Sequence, residues 1–262
     1  MGRSRTRQQR KKTQEEIQAE LDDMNWAQQE REELSRLSAI NQLLINKDIK
    51  NKNPKQKLLC KTIVENQITF VAGAAGTGKT LLSLKTALEL LKEDNEYNKI
   101  LLTKPIIEAG EAIGFLPGDI ESKTDPYMGS FIGNFSKLIG KARTQELLSS
   151  EVLVSAPLAY LRGETFENSI AIIDEAQNTT KSGLKLWLSR KGESSKLIVI
   201  GDTRQTDLYL RRGQKSGLAD AFHRFQGVPG VGFVEFTEDE IVRSDILIEL
   251  MKRYNEEDID EI

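Results

Sequence analysis

The chain has 262 residues, 38% of them hydrophobic and 29% charged, with a formal net charge of -3. Its length allows one α/β domain plus an accessory segment, and no apolar run is long enough for a membrane-spanning helix. The only cysteine, Cys60, excludes an intrachain disulfide or a thiolate metal cluster, and the only histidine, His223, leaves zinc chemistry without ligands.

Charge is concentrated at the ends. Arg3, Arg5, Arg7, Arg10, Lys11 and Lys12 crowd the start without an acid, and Glu256, Glu257, Asp258, Asp260 and Glu261 crowd the finish. A basic arm can bind a phosphate backbone, and the same composition also describes a solvated tail. No apolar signal-peptide core follows the first methionine, so a cytoplasmic protein is expected.

Residues 13–46 hold no glycine or proline and are rich in Glu, Gln, Arg and Leu, which is helix-forming composition. Ile17, Leu21 and Met24 begin a heptad seam that Gln28 and Arg31 break before Leu34, Leu37 and Leu44 resume it. The expectation is an exposed helix or helical hairpin that packs on a neighbouring subunit, with Trp26 as a docking anchor. The polar stretch 46–53 reads as a linker, dividing an extension (1–50) from a core domain (51–262).

The core opens with a helix over 54–66, where Cys60 is a core filler. The apolar, β-branched run Ile68–Ala72 is then a buried strand. Residues 73–80 follow as GAAGTGKT: Gly73, Ala74, Ala75, Gly76, Thr77, Gly78, Lys79 and Thr80. This is the GxxxxGKT pattern. Its glycines let the backbone wrap phosphates, and its amides lie at a helix start where the dipole is positive. Lys79 supplies charge to the β- and γ-phosphates and Thr80 a hydroxyl for magnesium. Leu81, Leu82, Leu84, Leu88 and Leu91 recur at helical spacing behind it.

A strand at Leu101 and Leu102 comes next. Residues 105–150 hold many turn formers and read as a long functional loop region, not as a compact helix. Residues 152–155 are a short strand. The run 170–173 ends in Asp174 and Glu175 (DEAQ), placing acids at the C-terminal end of a buried strand, where ligands bind in open α/β sheets. Asp174 is the magnesium partner, and Glu175 is the base that polarises an attacking water. The run 196–200 repeats this grammar and leads to Asp202 and Gln205. Both would lie beside the γ-phosphate if this strand neighbours that of Asp174. His223 reads as a helix residue near a surface, and a last strand falls near 232–236. Strand, loop and helix in repetition imply a mainly parallel sheet with helices on both faces.

Together these motifs resemble the PhoH family of P-loop ATPases over roughly residues 54–255. The strings that carry it are TKPIIEAGEAIGFLPGD (103–119), PLAYLRGETF (157–166), DEAQN (174–178), the GDxxQxD pattern at 201–207, SGL (216–218) and DEIVR (239–243). The resemblance implies a RecA-like, superfamily-one helicase-like P-loop NTPase fold. It implies that Gln56 contacts adenine, and that Arg243, with Arg162 second, approaches the γ-phosphate, supplied by a neighbouring subunit. Each arginine has an ion-pair role as its alternative. Lys104 stands where the family usually has arginine, losing the planar fork, and Ser244 stands where a histidine is common. The short form with a helical extension resembles proteins of large bacterial viruses, so a bacterial or virus-infected bacterial cytoplasm is expected.

The implied function is a Mg2+-dependent ATPase that binds or remodels single-stranded nucleic acid, RNA before DNA. One motor domain needs a second wall, so a ring-shaped homo-oligomer is expected, a hexamer by analogy with ring ATPases. Phe115, Tyr127, Phe131 and Phe135 are candidate base-stacking residues, with anchoring in the core as the preferred alternative. A different reading is an ATP-driven assembly switch acting on a protein partner without nucleic acid.

Overall fold

The computed structural model describes residues 14–105, 120–155, 158, 163, 165–203, 216–242 and 246; for 14–17, 20 and 120–128 only the backbone is described. The helices are α1 (Gln14–Asn41), α2 (Pro54–Glu65), α3 (Lys79–Glu93), α4 (Ile120–Ile139), α5 (Lys141–Ser149), α6 (Lys181–Leu188) and α7 (Gly217–Arg224). The strands are β1 (Ile68–Ala72), β2 (Lys99–Thr103), β3 (Leu153–Ser155), β4 (Ser169–Ile173), β5 (Ser195–Gly201) and β6 (Val231–Glu235).

They form one 6-stranded sheet in the order β3-β2-β4-β5-β1-β6. Every neighbouring pair is parallel. Side-chain alternation splits each strand between two cores. Val71, Ile170, Ile172, Ile198 and Ile200 face the layer built with α2, α3, α4 and α5. Phe70, Ala171, Ile173, Leu197 and Val199 face α6 and α7. Burial on both faces explains why these strands read as continuous apolar runs. Because all strands run one way, Ala72, Thr103, Ile173 and Gly201 end on the same edge of the sheet.

The expected strands are present, the last as Val231–Glu235, and α2 and α3 lie where their patterns place them. The N-terminal segment is a single helix among the described residues, not a hairpin, and its last turn is its anchor. Ala39 and Ile40 are buried there, with Leu43 just beyond, while Arg36 pairs with Glu151 at 2.6 Å. Trp26 is 65% exposed. The stretch after α1 has no regular structure and is tied down by Asn46 N–H donating to Leu138 O at 2.7 Å.

The reading of 105–150 as a loop is corrected over 120–149, where α4 and α5 fill 120–139 and 141–149, while 106–119 lie outside the described residues. Phe131, Phe135 and Leu138 recur at helical spacing and are buried, whereas a Cβ at Gly129 or Gly133 would meet nothing within 4 Å. The glycines therefore lie on the open face, and packing of the apolar stripe outweighs their poor propensity. Phe131 and Phe135 consequently anchor the core and are not available to stack on bases. Cys60 is half-buried against the same core, and His223 is exposed in the last turn of α7.

Candidate nucleotide site

The 73–80 loop joins β1 to α3. Gly73 has φ 143, and a Cβ there would lie 2.6 Å from Phe236 Cβ and 2.7 Å from its carbonyl oxygen. Only glycine allows the chain to turn out of the sheet so close to the end of β6. The loop is bonded on each side: Gly73 N–H to Gly201 O at 3.2 Å, Thr77 Oγ1 to Ala74 O at 3.0 Å, and Val242 N–H to Gly76 O at 3.0 Å.

Gln56, on the first turn of α2, is buried. Its Nε2 donates to Thr77 O at 2.9 Å, and its Oε1 accepts from Lys52 N–H at 2.6 Å. Both ends of the amide are thus used to tie the loop to the start of α2.

Lys79 folds back over the loop, donating to Gly73 O and, at 2.8 Å, to Ala74 O. Burial pulls its pKa below the usual lysine value, opposed by Asp202, Asp174 and Glu175. The ammonium is therefore held among those acids and the loop carbonyls.

Asp174 stands just past β4, 6% exposed. Thr80 Oγ1 lies 3.2 Å from both of its carboxylate oxygens. Lys104 Nζ is 3.8 Å from Asp174 Oδ2 while donating to Ser130 Oγ at 2.7 Å and lying 5.0 Å from the centre of the Phe131 ring. Burial raises the Asp174 pKa, and Glu175 adds to it; Lys104, the Glu175 N–H and the Thr80 hydroxyl act against the rise. A buried carboxylate that nearby donors do not fully compensate fits a cation, and an oxygen-only pair suits Mg2+, which takes few protein ligands and relies on phosphate and water. No group of three or more His, Cys, Asp or Glu forms a cage among the described residues.

Glu175 is exposed and left-handed, at φ 56. Gln177 Nε2 donates to its Oε2 at 2.7 Å. β5 lies between β1 and β4, which puts Asp202 beside Asp174. Lys79, Thr80, Asp174, Glu175 and Asp202 thus line one cleft of about 320 Å³. Ala75, Gly76 and Gly78 line it as well. Gln205, Arg162, Arg243, Ser244, Phe115 and both charged termini lie outside the described residues, as does the side chain of Tyr127.

Two polar side chains that line the cleft have no counterpart among the sequence-based candidates: Gln177 and Asn134. Gln177 ends the DEAQ string, whose acids drew the attention. Asn134 lies on α4, so reading that segment as a loop hid it.

The family model described as PhoH-like protein matches residues 48–255. The PhoH-like protein of Bacillus subtilis (strain 168) is 38% identical over 211 residues, covering 80% of this chain and 65% of that one. Protein PhoH of Escherichia coli (strain K12) is 39% identical over 206 residues, covering 78% and 57%. The chain thus spans less than two thirds of the length of these relatives. Among solved structures, the Pyrococcus furiosus Hef helicase domain gives a TM-score of 0.44 at 12% identity, over 74% of this chain and 40% of that one. Pif1 helicase from Candida albicans gives 0.38 at 16% identity, over 72% and 40%.

Proposed function

The chain belongs to the PhoH family, and from that premise we propose that it binds ATP with Mg2+ and hydrolyses it. One observation carries the reading: the loop hydroxyl of Thr80 meets the buried carboxylate of Asp174, with Glu175 next in the chain and Lys79 in the same cleft. The loop amides and Lys79 bind the phosphates. Thr80 and Asp174 would hold Mg2+, which supplies charge neutralisation at the β- and γ-phosphates. Glu175 accepts a proton from water as its oxygen attacks the γ-phosphorus; the bond to the β-phosphate oxygen breaks, leaving ADP and inorganic phosphate. Gln205 and an arginine, Arg243 before Arg162, complete the site in this reading, the arginine coming from a neighbouring copy.

The proposed coupling is to single-stranded nucleic acid, RNA before DNA, supported by the basic residues between Arg3 and Lys12. A specific observation favours the other reading, an assembly switch on a protein partner. Leu21, Met24, Trp26 and Leu34 of α1 are 48%, 69%, 65% and 61% exposed, apolar side chains that a protein partner could cover.

Steady-state ATP hydrolysis with and without single-stranded RNA, with Lys79→Ala as the blank, tests both. Stimulation by RNA that the variant lacks supports the nucleic-acid reading. Turnover indifferent to RNA transfers support to the switch. Turnover no higher than the blank refutes the ATPase assignment.

A further inference from the structure

Glu175 and the turn after β5 are joined through one side chain. Gln177 sits in the 3₁₀ turn Ala176–Asn178 and is 4% exposed. Its Nε2 donates to Glu175 Oε2 at 2.7 Å, and its Oε1 accepts the Asp202 N–H at 2.9 Å. The carboxamide cannot be reversed, because a backbone N–H only donates and a carboxylate only accepts. Its position is defended by the absence of a side chain: a Cβ at Gly201 would lie 2.5 Å from Gln177 Oε1.

Glu175 needs such a partner. It is exposed, its stem rotates freely, and its left-handed backbone fixes where the side chain starts but not where the carboxylate ends. A general base must lie within hydrogen-bond reach of the water it deprotonates, and a misplacement of about 1 Å costs roughly 100-fold in rate.

We infer that Gln177 is the positioning residue of Glu175, fastening its carboxylate to the backbone of Asp202. The inference rests on the ATPase reading and deepens it. Asp202 directly follows β5 and lines the same cleft as Lys79. Glu175 is thereby set by the end of β5, and not by its own strand alone.

Gln177→Glu is the sharp test. It is isosteric and keeps an acceptor for the Asp202 N–H, but replaces the donor to Glu175 with a second carboxylate. The full chain is assayed with Mg2+ and ATP for kcat and KM across pH, and with a fluorescent ATP analogue for affinity. A kcat loss of roughly 10- to 100-fold is expected, with analogue affinity within about twofold. Gln177→Ala should lose kcat similarly. Where Gln177→Ala fails to fold, the isosteric variant carries the test.

Wild-type turnover with kcat of Gln177→Glu within about twofold overturns the positioning role while leaving the ATPase reading intact. Equal losses in affinity and kcat overturn it too, because they report a collapsed pocket. Absence of wild-type turnover above Lys79→Ala removes the ATPase reading and this inference with it.

Discussion

Thr80 Oγ1 reaches both carboxylate oxygens of Asp174 at 3.2 Å, across 94 positions of sequence. The contact exists because β1 and β4 flank β5 and end on one edge, so that the head of α3 faces the acid past β4. It joins the head of α3 to the carboxylate past β4, the pair proposed to hold Mg2+.

Thr80→Val keeps the shape and deletes the hydroxyl. The Mg2+ concentration that half-saturates turnover should rise roughly 10- to 100-fold, the range seen when a metal ligand loses its support. Asp174→Asn should raise it at least as far. A Mg2+ titration of initial rates checks both, and an unchanged midpoint in Thr80→Val would show that the hydroxyl serves the fold alone.

Asp174 predicts a pH dependence with a definite sign. Its pKa is raised above the ordinary 3.8, chiefly by burial. Between that value and the folded one, the folded state holds more protons than the unfolded chain. Ionised Asp174 therefore costs stability above the folded value, and the cost vanishes below 3.8. In metal-free buffer, wild-type melting should fall relative to Asp174→Asn as pH rises from about 4 to about 8. Metal-dependent turnover should also fade on acidification at a higher pH than for an ordinary carboxylate. Lys104→Met removes the largest opposing influence and should move that loss higher still, while Lys104→Arg should not. Melting curves that differ by a constant at every pH would contradict the assignment.

The loop, its strand and the two acids were legible because their chemistry lies in contiguous strings: GAAGTGKT after ITFVA, and DE after an apolar run. The position of β5 between β1 and β4 was not legible, since strand order is set by packing of distant segments. The conditional placement of Asp202 depended on it, and β5 does pair with β4. The α4 segment was misread because Gly129, Gly133 and Pro126 dominate its composition, whereas Phe131, Phe135 and Leu138 decide its burial. Gln177 was passed over for a related reason: an uncharged amide acquires its role only from the two groups it bridges.

Gln56 was singled out for adenine, and its amide nitrogen and oxygen each have a partner, Thr77 O and Lys52 N–H. Gln56→Ala would orphan both groups near a loop that must keep its shape. The expected cost is about 1–3 kcal/mol of unfolding free energy, together with weaker binding of ATP and GTP alike. Urea melts and paired nucleotide titrations check this. Loss of ATP affinity with GTP affinity unchanged would instead assign the amide to the base.

Lys196, on β5, fixes the far end of α2, away from the loop. It is 5% exposed, and its ammonium donates to Ile63 O at 2.7 Å, to Val64 O at 3.1 Å and to Asn66 O. These carbonyls close the last turn of α2, where helix acceptors lack partners and a cation is favoured by the dipole. Burial lowers the lysine's pKa, with Asp94 and Glu96 opposing, so the charge is retained at a cost that the carbonyls offset. Lys196→Met would fill the same volume and strand the acceptors. It should destabilise the fold by about 1–3 kcal/mol, while nucleotide affinity of the folded fraction stays unchanged. Chemical denaturation paired with titration at a temperature well below melting separates the two. A methionine variant as stable as wild type would mean that water reaches those carbonyls and that the lysine is dispensable to the seam between α2 and β5.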